Sequence, residues 1–429
     1  MAPPSSRLGQ LQRGRGAGFV AALEAGPAAI DEVLRCAIED PRVDRELESR
    51  GRYLGELLAA QAAPLDALLA ALRDEPDSRL GHEVLAAAAA CGHPRARALL
   101  ADERVEEVLR AHVALWLVDW EVLQPVALAP ALRAMVMEQL LDAADSASIA
   151  SGVRRPPPQD LTSMSVEDLL ELARTARAAL LDPLQEELRT RTGDEDRDRL
   201  WQCLRDDPVH GRVKAAARAL GAMGDERVLT LCEELFARED VFEDPARRLP
   251  GLDRMRRSAL AGYVRRLPGT RQLELARAWH PRGGYFAVVA ATSYAAHAEP
   301  DDRAYLEGHV AADLAVGTGW DMISELDALA RLADPSSAPL LVEVSEQVAY
   351  SHARRRAVRA LAVICSEHGV AAAPLREALW DSEDEAAADA CGFLPELDAA
   401  AALRVRQLAR LQAAEVELQA RARRRLERS

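Results

Sequence analysis

The densest concentration of chemically capable side chains in this chain is Arg354, Arg355, Arg356 and Arg359, within Tyr350-Ser351-His352-Ala353-Arg354-Arg355-Arg356-Ala357-Val358. Val358, Leu361, Ala362 and Cys365 recur at helical spacing and define a core-facing stripe, which predicts Arg355 and Arg359 one turn apart on an outward face. Arg212, Lys214 and Arg218 recur in the same relation to Val213, Ala216, Ala217 and Leu220, and Arg254, Arg257 and Arg265 form a third group. A guanidinium offers paired donors in a fixed fork, so arginines converging from successive helices suit a carboxylate or phosphate group. A second reading of the same residues is internal: Asp381, Glu383, Asp384 and Glu385 follow in sequence and could pair with them. Trp120, four residues from Trp116, is either a core plug or an aromatic anchor for a partner.

No spacing in the chain matches a phosphate-binding loop, a nucleophile elbow or a zinc-protease helix. His280, His297 and His309 fall in one region near Trp279, Tyr285 and Tyr294, but at spacings that do not impose a coordination geometry. No metal and no cofactor is expected. Gly14, Gly16 and Gly18 form Gly-x-Gly-x-Gly without a preceding strand, which reads as part of a flexible arm. The six cysteines have no paired spacing and read as small core hydrophobes of a reducing compartment.

These groups must be carried by helices. Apolar residues recur at Ile30, Val33, Leu34 and Ala37, at Val105, Val108 and Leu109, and at Val228, Leu231, Cys232 and Leu235, all at helical spacing. No comparable two-residue alternation occurs. About a fifth of the chain is alanine and aromatics are 4%, a composition of closely packed helices. Asp-Pro pairs at Asp40-Pro41, Asp182-Pro183, Asp207-Pro208, Asp244-Pro245 and Asp334-Pro335 punctuate the pattern, the Asp oxygen capping a helix whose first position tolerates proline. Ser165 with Asp168 three residues on predicts another helix start.

The segment Asp207–Asp225 resembles the second helix and following turn of a HEAT repeat. The Tyr350–Val358 segment with Leu379-Trp380-Asp381-Ser382-Glu383-Asp384-Glu385, and Ala37–Glu46, look similar to HEAT-repeat proteins of high-GC bacteria, a group that brings no reaction with it. The resemblance implies an all-α fold, an α-solenoid of antiparallel helix pairs in which the second helix of each pair lines the concave side. The expected organisation is a flexible arm over 1–17, a helical-repeat segment over 18–150, a linker over 151–160 carrying Pro156-Pro157-Pro158, a HEAT-like segment over 161–397, and one long capping or protruding helix over 398–429.

Among HEAT-like families with activities, deoxyhypusine hydroxylases hold iron through several His-Glu pairs. Only His82-Glu83 has that form here. HEAT-like DNA glycosylases use a basic groove with aromatics, and phycobilin lyases share the fold. The net charge of −15 opposes nucleic acid and anionic membranes as partners, and no segment reaches 18 uninterrupted apolar residues. The expectation is a cytoplasmic, non-enzymatic scaffold whose arginine-lined groove takes an acidic segment of a protein partner. A nucleic-acid-associated protein and a HEAT-like lyase are the alternatives.

Overall fold

A computed structural model describes residues 1–45, 48–75, 78–101, 161–175, 184, 186–190, 193–238, 249–316, 319–368, 372–411 and 414–428. Every regular element among them is a helix. The chain divides into two compact units, and the division differs from the expected one. The first joins Met1–Val153 to Arg303–Ser429; the second is Arg154–Asp302, inserted between them in sequence. The proline linker at 151–160 and Trp120 lie outside the described residues.

The N-terminal part of the first unit comprises α1 (Arg7–Arg13), α2 (Gly16–Ala25), α3 (Ile30–Glu39), α4 (Gly51–Ala60), α5 (Asp66–Asp74), α6 (Arg79–Ala90) and α7 (Pro94–Ala101). Val33, Leu34 and Ala37 of α3 are buried as their spacing predicts. They join Leu54, Leu57, Leu58, Leu68 and Leu80 in one apolar cluster. In α6 the alanines 86–89 are all buried, because Ala on every side lets α4 approach closely; a Cβ added at Gly55 would lie 2.5 Å from Ala87 Cβ.

The C-terminal part contains α15 (Arg303–Val316), α16 (Ile323–Leu332), α17 (Ala338–Gln347), α18 (Ser351–His368), α19 (Ala372–Ala378), α20 (Asp384–Phe393), α21 (Ala399–Leu408) and α22 (Val416–Arg428). Here α16 packs on α18, α18 on α20 and α20 on α22, while α17, α19 and α21 pack on their chain neighbours. The long helix expected over 398–429 is instead two helices. No proline or glycine breaks it. Tertiary contacts do: Ala414 is buried and the Glu415 N–H donates to Asp384 Oδ2 at 2.7 Å.

The second unit runs through α8 (Val166–Thr175), α9 (Asp194–Asp206), α10 (His210–Ala222), α11 (Arg227–Phe236), α12 (Gly251–Val264), α13 (Gly269–Trp279) and α14 (Gly284–His297). Ser165 caps α8 as predicted: its Oγ accepts from the Asp168 N–H at 3.2 Å, and Asp168 Oδ2 accepts from the Ser165 N–H at 3.3 Å. Val213, Ala216, Ala217 and Leu220 of α10 are buried against α9, α8 and α12.

The arm expected over 1–17 is structured. Leu11 is fully buried, Ser6 caps α1, and Gly14 closes it in a left-handed turn with φ +70°. Gly14 and Gly16 lie where the backbone passes against the C-terminal part of the same unit, and Gly18 where α2 passes against the backbone of α1. A Cβ at Gly14 would stand 2.2 Å from Ser382 Oγ, and one at Gly16 would stand 2.0 Å from the Glu377 carbonyl oxygen. Gly16→Ala therefore lowers the unfolding free energy by about 1–3 kcal/mol in urea denaturation, because the backbone of α19 cannot move aside without repacking. Ala at the open position Gly251 serves as the tolerated control.

Candidate functional site

Arg354 is the residue around which the charged groups of the first unit gather. It is buried, not outward-facing. Its Nε and Nη2 donate to Asp381 at 2.8 and 2.9 Å, a bidentate pair with both side chains withdrawn from water. Its place four residues before Val358 puts it on the core-facing stripe, which its choice as a candidate binding residue overlooked; α16, α17, α19 and α20 all pack on α18, so Ala353, Ala357, Ala360 and Ile364 are buried beside that stripe as well. An arginine can occupy such a position only with its charge matched.

Around this pair the N-terminal helices meet the C-terminal ones. Arg50, fully buried, donates from Nη1 to Ser382 Oγ at 2.6 Å and from Nη2 to the Arg13 carbonyl at 3.0 Å, and it pairs with Glu48 at 3.3 Å. Glu48 Oε2 in turn accepts from the Ser351 N–H at 2.8 Å, at the start of α18. Arg52 pairs with Asp384 and donates to the Asp381 carbonyl at 2.6 Å. Arg404 of α21 reaches Glu56 of α4, with Nη2 at 3.1 Å from Oε2. Arg15 holds Glu377 in two bonds of 3.0 Å. Burial alone would raise the Glu48 and Glu56 carboxyls. The facing arginines, Arg50 for the first and Arg404 with Arg52 for the second, outweigh it and hold both below the usual range. Apart from Asp384, these arginines and acids escaped the sequence reading because most of them join the two ends of the chain; only the charges around 45–52 form a local run.

The other candidate arginines are mostly engaged internally. Arg355 pairs with Glu385 and Arg356 with Asp327 at 3.0 Å, so each bridges adjacent helices of the α16–α18–α20 series. Arg359 is exposed and makes no ion pair among the described residues. In the second unit Arg212 pairs with Glu167, Asp207 and Glu171 at 2.7, 2.9 and 3.2 Å. Arg257 is buried, contrary to expectation, with its guanidinium 4.1 Å from the Tyr285 ring centre and a bond to the Arg238 carbonyl. Arg218 lies 3.7 Å from the position a Cβ would take at Gly262 of α12; Arg254 is half-buried and engaged. Arg265 is exposed and Lys214 half-buried. The arginines of 212–265 belong to the second unit and those of 354–359 to the first.

His82 Nδ1 lies 2.8 Å from the Ser78 carbonyl and His93 Nε2 2.8 Å from the Ala63 carbonyl, while Glu83, next to His82, pairs with Arg79 and Arg42. Burial pushes the thiols of Cys36, Cys91 and Cys391 up to about 12 and that of Cys203 to about 11, which keeps them protonated and unreactive at neutral pH. All six cysteines are free.

No family model matches this chain, and neither does any curated protein or solved structure. Among the described residues, no helix is long and apolar enough to cross a membrane.

Two outcomes follow from the charge seam. Arg354→Ala leaves Asp381 buried without its partner and costs about 3–5 kcal/mol of unfolding free energy in urea titration. Glu56→Gln has a pH signature. Its folded-state pKa lies below the unfolded value near 4.3, so its ionised form stabilises above that value and the contribution disappears as pH falls through the folded pKa. The deficit of the variant should be full between about pH 5 and 7 and should shrink below about pH 4.

Proposed function

We propose that this chain is a non-enzymatic, HEAT-like helical scaffold that holds an acidic segment of a protein partner along the helix series α16, α18, α20 and α22. The packing of alternate helices of successive pairs, each on the next, supports a repeat-type surface. Arginines on that series support an acidic ligand. The observation that carries the reading is Arg359: exposed, without an ion pair among the described residues, and one turn from Arg355, which pairs with the half-exposed Glu385. An incoming carboxylate can engage Arg359 directly and compete with Glu385 for Arg355. Neither step breaks a buried pair. Arg212, Arg257, Arg354 and Arg356, weighed at the outset, have partners within the fold.

Fluorescence anisotropy with a labelled acidic dodecapeptide tests this. Wild type binds with an affinity that falls as salt rises, and the double change Arg355→Glu, Arg359→Glu weakens binding about tenfold or more, reducing the salt slope. Equal affinity in the two proteins would overturn the reading. A single-stranded DNA of matched charge, bound as tightly as the peptide and with the same sensitivity to the double change, would favour the nucleic-acid alternative instead.

A further inference from the structure

A cleft of about 270 Å³ lies between α17, α18 and α19. That is just below the ~300 Å³ at which pockets begin to take drug-sized ligands, so its occupant must be small. Val342, Val358, Ala373, Pro374 and Ala378 give it an apolar wall, and Arg354 is among its polar residues. The Asp381 carboxylate takes Nε and Nη2 of that guanidinium, while the third nitrogen, Nη1, is buried and has no hydrogen-bond acceptor. A donor stripped of water and given nothing in return destabilises the fold, which is why such groups are rare in native proteins.

The other polar groups of the cleft differ in what they have left to offer. Glu377 is occupied: its two oxygens accept from Arg15 at 3.0 Å, and Oε1 also accepts from the Ala17 N–H at 3.2 Å. Glu346 is exposed, and its carboxylate stands 4.0 Å from Arg15, beyond hydrogen-bond length. Ser345 Oγ donates to the Val342 carbonyl at 2.7 Å and keeps its lone pairs for an incoming donor. The cleft therefore presents one buried donor that lacks an acceptor and two acceptors that can take N–H groups, all beside an aliphatic wall. Its close ion pairs, Arg354 with Asp381 and Arg15 with Glu377, are already made. The undescribed residues 369–371, between α18 and α19, are Gly-Val-Ala and add no ionisable side chain.

We propose that this cleft binds a small neutral carboxamide carried on an aliphatic group. The amide oxygen accepts from Arg354 Nη1, the amide N–H groups donate to Glu346 or Ser345, and the aliphatic part packs on the valines, alanines and Pro374. A carboxylate of the same shape satisfies Arg354, but it brings a further negative charge beside Glu346 and has no N–H to give. An ammonium suits Glu346 and leaves Nη1 without an acceptor. Only a group that is both acceptor and donor, without net charge, meets all three. The site uses neither Arg355 nor Arg359, so it stands apart from the docking role above.

Saturation-transfer NMR titration of the full chain with isovaleramide tests the site. Wild type gives saturable binding, and isovalerate and isopentylamine, which share the branched skeleton, bind about threefold more weakly or worse. Glu346→Leu weakens the amide about threefold by removing one of its acceptors. Ala373→Trp, at an exposed position of the cleft wall, fills the space and weakens binding about tenfold or more, while Ala311→Trp, at an exposed position of α15, leaves it within about twofold. These changes leave Arg354 and its buried pair intact, and circular dichroism of each variant separates lost binding from lost fold. In crystals grown with isovaleramide, its oxygen is expected against Arg354 Nη1. A water molecule alone at that nitrogen, equal binding of the amide and the carboxylate, or equal effects of the Ala373 and Ala311 changes would overturn the proposal.

Discussion

A buried layer of guanidinium and carboxylate groups joins the first hundred residues to the last hundred, and the first unit depends on it. Arg50, Arg52, Arg354 and Arg404 are among the largest side chains with almost no exposure to water. Ions so withdrawn cost several kcal/mol each unless geometry returns the loss, and here it does so through bidentate pairs and through bonds to carbonyls and hydroxyls. Because an unpaired member would be far more costly than an absent pair, the layer acts as a registry device. Arg50 must meet Ser382 and the Arg13 carbonyl together, and Arg52 must meet Asp384 and the Asp381 carbonyl. Only one placement of α1–α4 on α18–α21 satisfies all of these bonds. The close glycines at 14 and 16 are the steric side of the same requirement.

This arrangement reassigns the role of arginine in the molecule. A guanidinium-rich, alanine-rich chain with few aromatics lacks large apolar plugs, and its helices approach closely through small residues instead. Interlocking charge supplies the specificity that bulky side chains would otherwise supply. Arg359 on α18 is among the arginines that the fold leaves in water.

Local signals in the sequence translated well into structure. The stripes at 213–220 and 358–365 are buried, those at 30–37 and 228–235 are buried except for the half-buried Ile30 and Leu231, the Ser165–Asp168 capping box closes as its spacing implies, and Asp207-Pro208 separates two helices. What was not legible is whatever depends on distant partners. Arg354 stands four residues before Val358 on the buried stripe, but nothing local announces that four helices surround it. The glycines at 14 and 16 look like those of a mobile arm until Ser382 and Glu377 are brought against them. The break after Leu408 has no proline or glycine to mark it, and follows from the bond between the Glu415 N–H and Asp384. The recombination of both ends of the chain into one unit has no local signature at all.

If the charge seam sets the register of the first unit, its two halves must open together. Native-state hydrogen exchange across α2, α4, α18 and α20 in rising urea measures this directly. The account predicts that the slowest amides of all four helices converge on one opening free energy and one urea dependence. Amides of α2 and α4 that exchange through a separate, lower-energy opening while α18 and α20 stay protected would contradict it.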